Sequence, residues 1–130
     1  MPKVFQHRRR TWREKFATAF QALAWGIGGQ ESFYVHLAIA AVVIALAAWL
    51  QLARHDWLLL VLCIFAVLSA EMFNRALEVL ARAITKYENR DIERALNVAS
   101  AAVLLISIGA AIIGAAIFIP AIWSLWFASS

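Results

Sequence analysis

The sequence predicts an all-α integral membrane protein. An N-terminal amphipathic surface helix precedes three transmembrane helices, in one membrane domain covering residues 1–130. Three observations predict this. The chain is 64% hydrophobic and only 15% charged, whereas soluble domains lie near 45–50% apolar and about 25% charged. Two apolar runs approach membrane-spanning length: Leu37 to Leu50 holds no polar residue, and Trp57 to Ser69 carries no charge. The basic residues alternate with the spans. Lys3, Arg8, Arg9, Arg10, Arg13 and Lys15 precede Gln30; Arg75, Arg82, Lys86, Arg90 and Arg94 fall within residues 75–94; Arg54 stands alone. The positive-inside rule therefore puts the N-terminus and the 82–94 segment in the cytoplasm, with the Gln51–Asp56 turn and the C-terminus outside. Such basic residues read as topology signals and anionic-lipid contacts, not as a nucleic-acid surface.

The elements follow in order. Trp12, Phe16, Phe20, Leu23 and Ile27 repeat at helical spacing, so residues 1–29 read as a basic arm and an interfacial helix. Gly26, Gly28 and Gly29 break it where the chain turns into the bilayer. The first span covers residues 32–52 and the second 57–84, the latter turning amphipathic after Ala70. A break near Tyr87–Asp91 precedes the third span, 92–123, whose N-terminus Asp91 is expected to cap. Trp49, Trp57, Trp123 and Trp126 form an outer aromatic belt. Ser100, Gly109 and Gly114 permit close helix packing. His7-Arg8-Arg9-Arg10 resembles the start of a signal peptide, but no apolar core follows directly. Cys63, the single cysteine, can form no internal disulfide and reads as a packing residue.

Glu71, Asn74 and Glu78 are the candidate site. Offsets of three and seven residues place them within about 60° of one helix face. Glu71 lies about 21 Å along the helix from Trp57, within the inner leaflet, and Glu78 about 10 Å further. A charge at a helix centre costs about 2.5–3.5 kcal/mol, so an intramembrane carboxylate implies function. This depth lets a lipid headgroup meet a soluble nucleotide; it suits ion conduction poorly, since the outer part of the spans offers no polar path. Arg75 and Arg82 form i,i+4 pairs with Glu71 and Glu78. They read either as neutralising partners or as a clamp on a phosphate. His36 reads as a hydrogen-bonded packing residue, with proton carrier or headgroup contact as alternatives. His7 and His55 read as solvated. No transition-metal spacing, catalytic triad or phosphate-cradling glycine loop is present.

At these residues the chain resembles the small prokaryotic diacylglycerol kinase and undecaprenol kinase family. Four stretches within about residues 14–118 carry the resemblance: Phe16 to Leu23, Glu31 to Leu37, the run Glu71-Met72-Phe73-Asn74-Arg75-Ala76-Leu77-Glu78 and Ala95 to Val103. The resemblance implies a homotrimer in the bacterial cytoplasmic (inner) membrane. It implies transfer of the ATP γ-phosphate to a lipid hydroxyl (diacylglycerol, undecaprenol or a related lipid) at the inner leaflet, with Mg2+. Membrane lipid and nucleotide are the implied partners, and nucleic acid is not. Carried over, Glu71 is the general base, Asn74 supports the site, and Glu78 binds magnesium and nucleotide. The family's second metal-binding glutamate falls on Gln30, with Glu31 adjacent. Its nucleotide-contacting lysine falls on Leu96 and the following aspartate on Asn97; Arg90 is the cation that could reach in from the loop. These departures leave an alternative open: a non-catalytic relative that binds a phosphorylated lipid or serves as a membrane assembly partner.

Overall fold

The computed structural model describes residues 9–29 and 31–129. Expectations resting on Gln30, His7 and the first basic residues lie outside them. Among the described residues the elements are four α-helices and no strand: α1 (Trp12–Ile27), α2 (Glu31–Trp49), α3 (Arg54–Ile84) and α4 (Arg90–Ala128). The last three are long and apolar enough to cross a membrane.

Helix α1 starts at a capping box. Thr11 Oγ1 accepts from Glu14 N–H at 3.3 Å, and the Glu14 carboxylate accepts from Thr11 N–H at 3.0 Å. Its stripe residues Trp12, Phe16, Phe20 and Leu23 remain exposed, as a helix lying in an interface requires. The helix meets the bundle only near its end. Gly26 is buried against α3, and a Cβ there would sit 2.6 Å from the Met72 thioether. Gly29 then turns the chain with φ of +85°.

Helices α2 and α3 form an antiparallel hairpin. Phe33, Ala40 and Ala47 on α2 are buried at heptad spacing, as are Leu60 and Val67 on α3. The connection closes as a Schellman motif: Leu52 N–H donates to Ala47 O at 3.3 Å and Gln51 N–H to Ala48 O at 3.2 Å. Gln51 occupies the left-handed position, φ +51°, that glycine usually takes.

Helix α4 packs mainly along α3. It begins earlier than expected, and Asp91 does not cap it. Asn89 does, its Oδ1 accepting from the N–H groups of Asp91 and Ile92 at 2.9 and 3.2 Å. Asn and Asp cap about equally well, so the loop decides. Thr85 and Tyr87 turn the chain by exchanging hydrogen bonds, which leaves Asn89 as the last extended residue. At 39 residues α4 is about 58 Å long, so it reaches beyond a hydrocarbon core of about 30 Å. Pro120 lies inside it and withholds an N–H from the Ala116 carbonyl.

Candidate functional site

Glu71 continues the buried stripe of Leu60 and Val67, so the hydrophobic register of α3 aims a carboxylate at α2. It is 5% exposed and the one buried charged residue among those described. An unpaired charge there would be costly, and α2 supplies its partners. Ser32 Oγ donates to Glu71 Oε2 at 3.3 Å, and His36 Nδ1 lies 3.0 Å from Glu71 Oε1. His36 Nδ1 is also 2.9 Å from the Ser32 carbonyl. Across the ring, Nε2 faces Ser107 Oγ of α4 at 3.5 Å. Glu71 therefore stands at the junction of three helices.

One turn further, Asn74 bridges α3 and α4. Its Nδ2 donates to Glu78 Oε1 at 3.0 Å, and Ser100 Oγ donates to its Oδ1 at 3.5 Å. Glu71, Asn74 and Glu78 thus share the face expected of them, each with a polar neighbour in hand.

The two arginines differ. The expected Glu71–Arg75 pair does not form. Four residues carry Arg75 about 40° round the helix from Glu71, towards α1. There its guanidinium stacks 4.6 Å from the Trp25 ring centre, and Nη2 donates to the Gly28 carbonyl at 3.3 Å. Arg75 fastens the surface helix to α3. Arg82 is exposed and lines a surface pocket with Glu78, Lys86, Glu88 and Leu96. Glu31 is exposed at the start of α2. Arg90 and Asn97 are exposed on α4 and line neither cavity described here. Arg94 pairs with Asp91 at 3.6 Å on the surface, which contributes little.

A second cavity of about 280 Å³ opens between α2, α3 and α4. His36 and Ser107 are the polar groups at one end, and Leu60 and Phe118 lie towards the other; Ala111, Gly114 and Ala115 keep its α4 wall low. Sequence reading missed the grouping of Ser32, His36 and Ser107 with Glu71. A usable signal was present: polar side chains within apolar spans must find partners in lipid, and Ser32 and His36 share one face of α2 at i,i+4.

For divalent metal, no group of three or more His, Cys, Asp or Glu side chains comes together among the described residues. A caged resident ion therefore does not fit. Glu78 beside Asn74 does fit magnesium that arrives with nucleotide phosphates, which takes one or two carboxylates and completes its shell with phosphate oxygens and water.

Fold and site define a polytopic membrane protein with a polar cluster at the basic end of its helical hairpin. The family model described as prokaryotic diacylglycerol kinase matches residues 17–118, and the chain belongs to that family of membrane lipid kinases. A search of curated proteins finds no match.

Proposed function

We propose that the protein is an ATP- and magnesium-dependent kinase of a lipid alcohol, acting at the inner leaflet as a homotrimer with its N-terminus in the cytoplasm. One observation carries this reading: along α3 the buried Glu71 cluster stands between an apolar interhelical cavity and a charged surface pocket. The separation suits the chemistry. Seven residues from Glu71 to Glu78 span about 10 Å, room for a lipid hydroxyl at one end and a nucleotide polyphosphate at the other. Phosphoryl transfer needs positioning and charge neutralisation more than covalent participation. Glu71 supplies the negative charge that activates the hydroxyl. Asn74 holds Glu78 in place, and Arg82 and Lys86 attract the phosphates. Glu78 would hold magnesium that arrives with the phosphates, which would neutralise charge developing on the transferred group.

Incubating the purified protein with magnesium-ATP and dioleoylglycerol or undecaprenol should yield the corresponding phosphorylated lipid by mass spectrometry. Neither product appearing, with no ATP bound, overturns the reading.

A second reading rests on Leu96. It lines the charged pocket where the family resemblance calls for a lysine, so a protein that holds a phosphorylated lipid without transferring phosphate is the alternative. That alternative requires a phospholipid to co-purify and to be lost on Arg82→Ala, with no turnover.

A further inference from the structure

We propose that the last turns of α4, Ala121 to Ala128, form an interfacial arm that bends at Pro120 and lies on the membrane leaflet opposite the basic end. Its partner is the boundary between phospholipid headgroups and acyl chains. These residues follow the stretch that the family model matches.

Helix register sets the level of the arm. Ser100 bonds to Asn74 across the antiparallel α3–α4 pair, and an equal advance along both helices brings Pro120 level with Arg54. Ser107 meets His36 on α2, which runs the same way as α4, and an equal advance there brings Pro120 level with Trp49. Both registers put Pro120 at the tip of the α2–α3 hairpin. Past that tip α4 continues to Ala128, about 12 Å further.

A straight arm would suit neither water nor hydrocarbon. No charged residue follows Arg94. From Ala95 to Pro120 the helix covers about 38 Å, already more than a hydrocarbon core of about 30 Å. A straight α4 would push Ile122, Trp123, Leu125, Trp126 and Phe127, all exposed, into water. It would also carry Trp123 and Trp126 beyond the level of Trp49 and Trp57, although tryptophan gathers at the headgroup level. A bend at Pro120 removes both conflicts. The helix is weakest there, because Pro120 withholds the N–H that the Ala116 carbonyl would accept.

The arm has two faces. Helical spacing puts Ile122, Trp123, Trp126 and Phe127 on one side, with Ala121, Ser124 and Ala128 on the other. The Trp123 and Phe127 rings pack with centres 4.9 Å apart, giving a continuous aromatic surface. Ser124 Oγ donates to the Ala121 carbonyl at 2.8 Å, and Ser129 Oγ to the Trp126 carbonyl at 2.9 Å, so neither hydroxyl is left unbonded near lipid. A broad aromatic face for the acyl boundary, indole N–H groups for the headgroups and a small opposite face for water are what an interfacial helix requires. With no cation, the arm makes no demand on headgroup charge.

Spin labels on the full-length protein test this in zwitterionic phosphatidylcholine vesicles. Cys63→Ala supplies the background, and Ala121→Cys, Ile122→Cys, Ser124→Cys and Trp126→Cys carry the nitroxide one at a time. The ratio of collisions with lipid-soluble oxygen to collisions with a water-soluble nickel chelate should be high at Ile122→Cys and Trp126→Cys and low at Ala121→Cys and Ser124→Cys. A low ratio at all four means a straight arm in water and overturns the proposal. Exclusion of both reagents at all four, with dipolar broadening between labels, means an arm packed on a second copy and overturns it too. An unlabelled check guards against misfolding of the cysteine variants. The tryptophan emission lost in Trp123→Phe/Trp126→Phe should be the component quenched most by lipids brominated near the headgroup; quenching of that component by aqueous iodide instead overturns the proposal.

Discussion

Arg75 and Arg82 stand two turns apart on one helix, yet their surroundings give them different work. Arg75 spends its guanidinium on Trp25 and the Gly28 carbonyl, while Arg82 remains exposed beside Glu78. Removing Arg75 should therefore cost stability, about 1–2 kcal/mol for a part-desolvated cation–π contact and a hydrogen bond. Limited proteolysis should find the α1–α2 junction cut faster in Arg75→Ala, with nucleotide affinity little changed. Arg82→Ala should do the reverse, weakening ATP binding by calorimetry while the proteolysis rate holds. If Arg75→Ala instead loses ATP binding with the junction intact, Arg75 belongs to the phosphate site. The carboxylate stripe was legible in the sequence because helical periodicity fixes which residues share a face. The destination of Arg75 was not, because a long side chain chooses among partners that only α1 brings near. The pairing of Glu71 with His36 escaped for a similar reason: residues far apart in sequence meet only when the hairpin register is known.

At the scale of elements, two backbone positions make opposite demands on glycine. Gly26 is where α1 touches α3, and the nearest obstacle to a side chain there is the flexible end of Met72. Gly26→Ala should thus be mild, since a methionine tip can move. Gly26→Leu should lift α1 from the bundle and increase quenching of tryptophan fluorescence by a water-soluble quencher. Gln51 is the converse case, a side chain in the left-handed slot of a Schellman turn. Gln51→Gly should relieve that strain and stabilise the α2–α3 hairpin by up to about 1 kcal/mol, read as a higher thermal midpoint in detergent; a lower midpoint would mean that the turn depends on the glutamine side chain. Apolar runs and breaks made all four helices legible in sequence. Their ends were less so. Asn89 and Asp91 are both competent caps, and only the Thr85–Tyr87 turn selects between them. The first span stops at Trp49, short of its expected limit at 52; the second starts at Arg54, before the expected 57, and ends at Ile84 as expected; the third runs from Arg90 to Ala128, beyond the expected 92–123 at both ends.

For the whole molecule, the single chain encloses a small core. Among the described residues Phe33, Ala40, Ala47, Leu60 and Val67 are its buried hydrophobic residues, whereas α4 buries none of its 39 residues. In lipid such exposure is tolerated, because acyl chains solvate leucine as well as another helix does. Association then depends on close backbone approach, which small residues allow. On α4 a Cβ at Gly109 or Gly114 would meet nothing within 4 Å of this chain, so neither glycine is required by packing inside one subunit. Gly114 lines the interhelical cavity and is available to a lipid chain. Gly109 is absent from that lining, and it is the better candidate for contact with another copy. If α4 packs against a neighbouring subunit there, Gly109→Leu should leave the helical circular dichroism unchanged but shift native mass spectra from three 14.5 kDa chains towards one. Gly114→Leu should instead leave the mass of the proposed trimer unchanged and raise KM for the lipid alcohol. A Gly109→Leu protein that remains fully trimeric would turn that face of α4 towards lipid and move the expected interface to the exposed surfaces of α2 and α3.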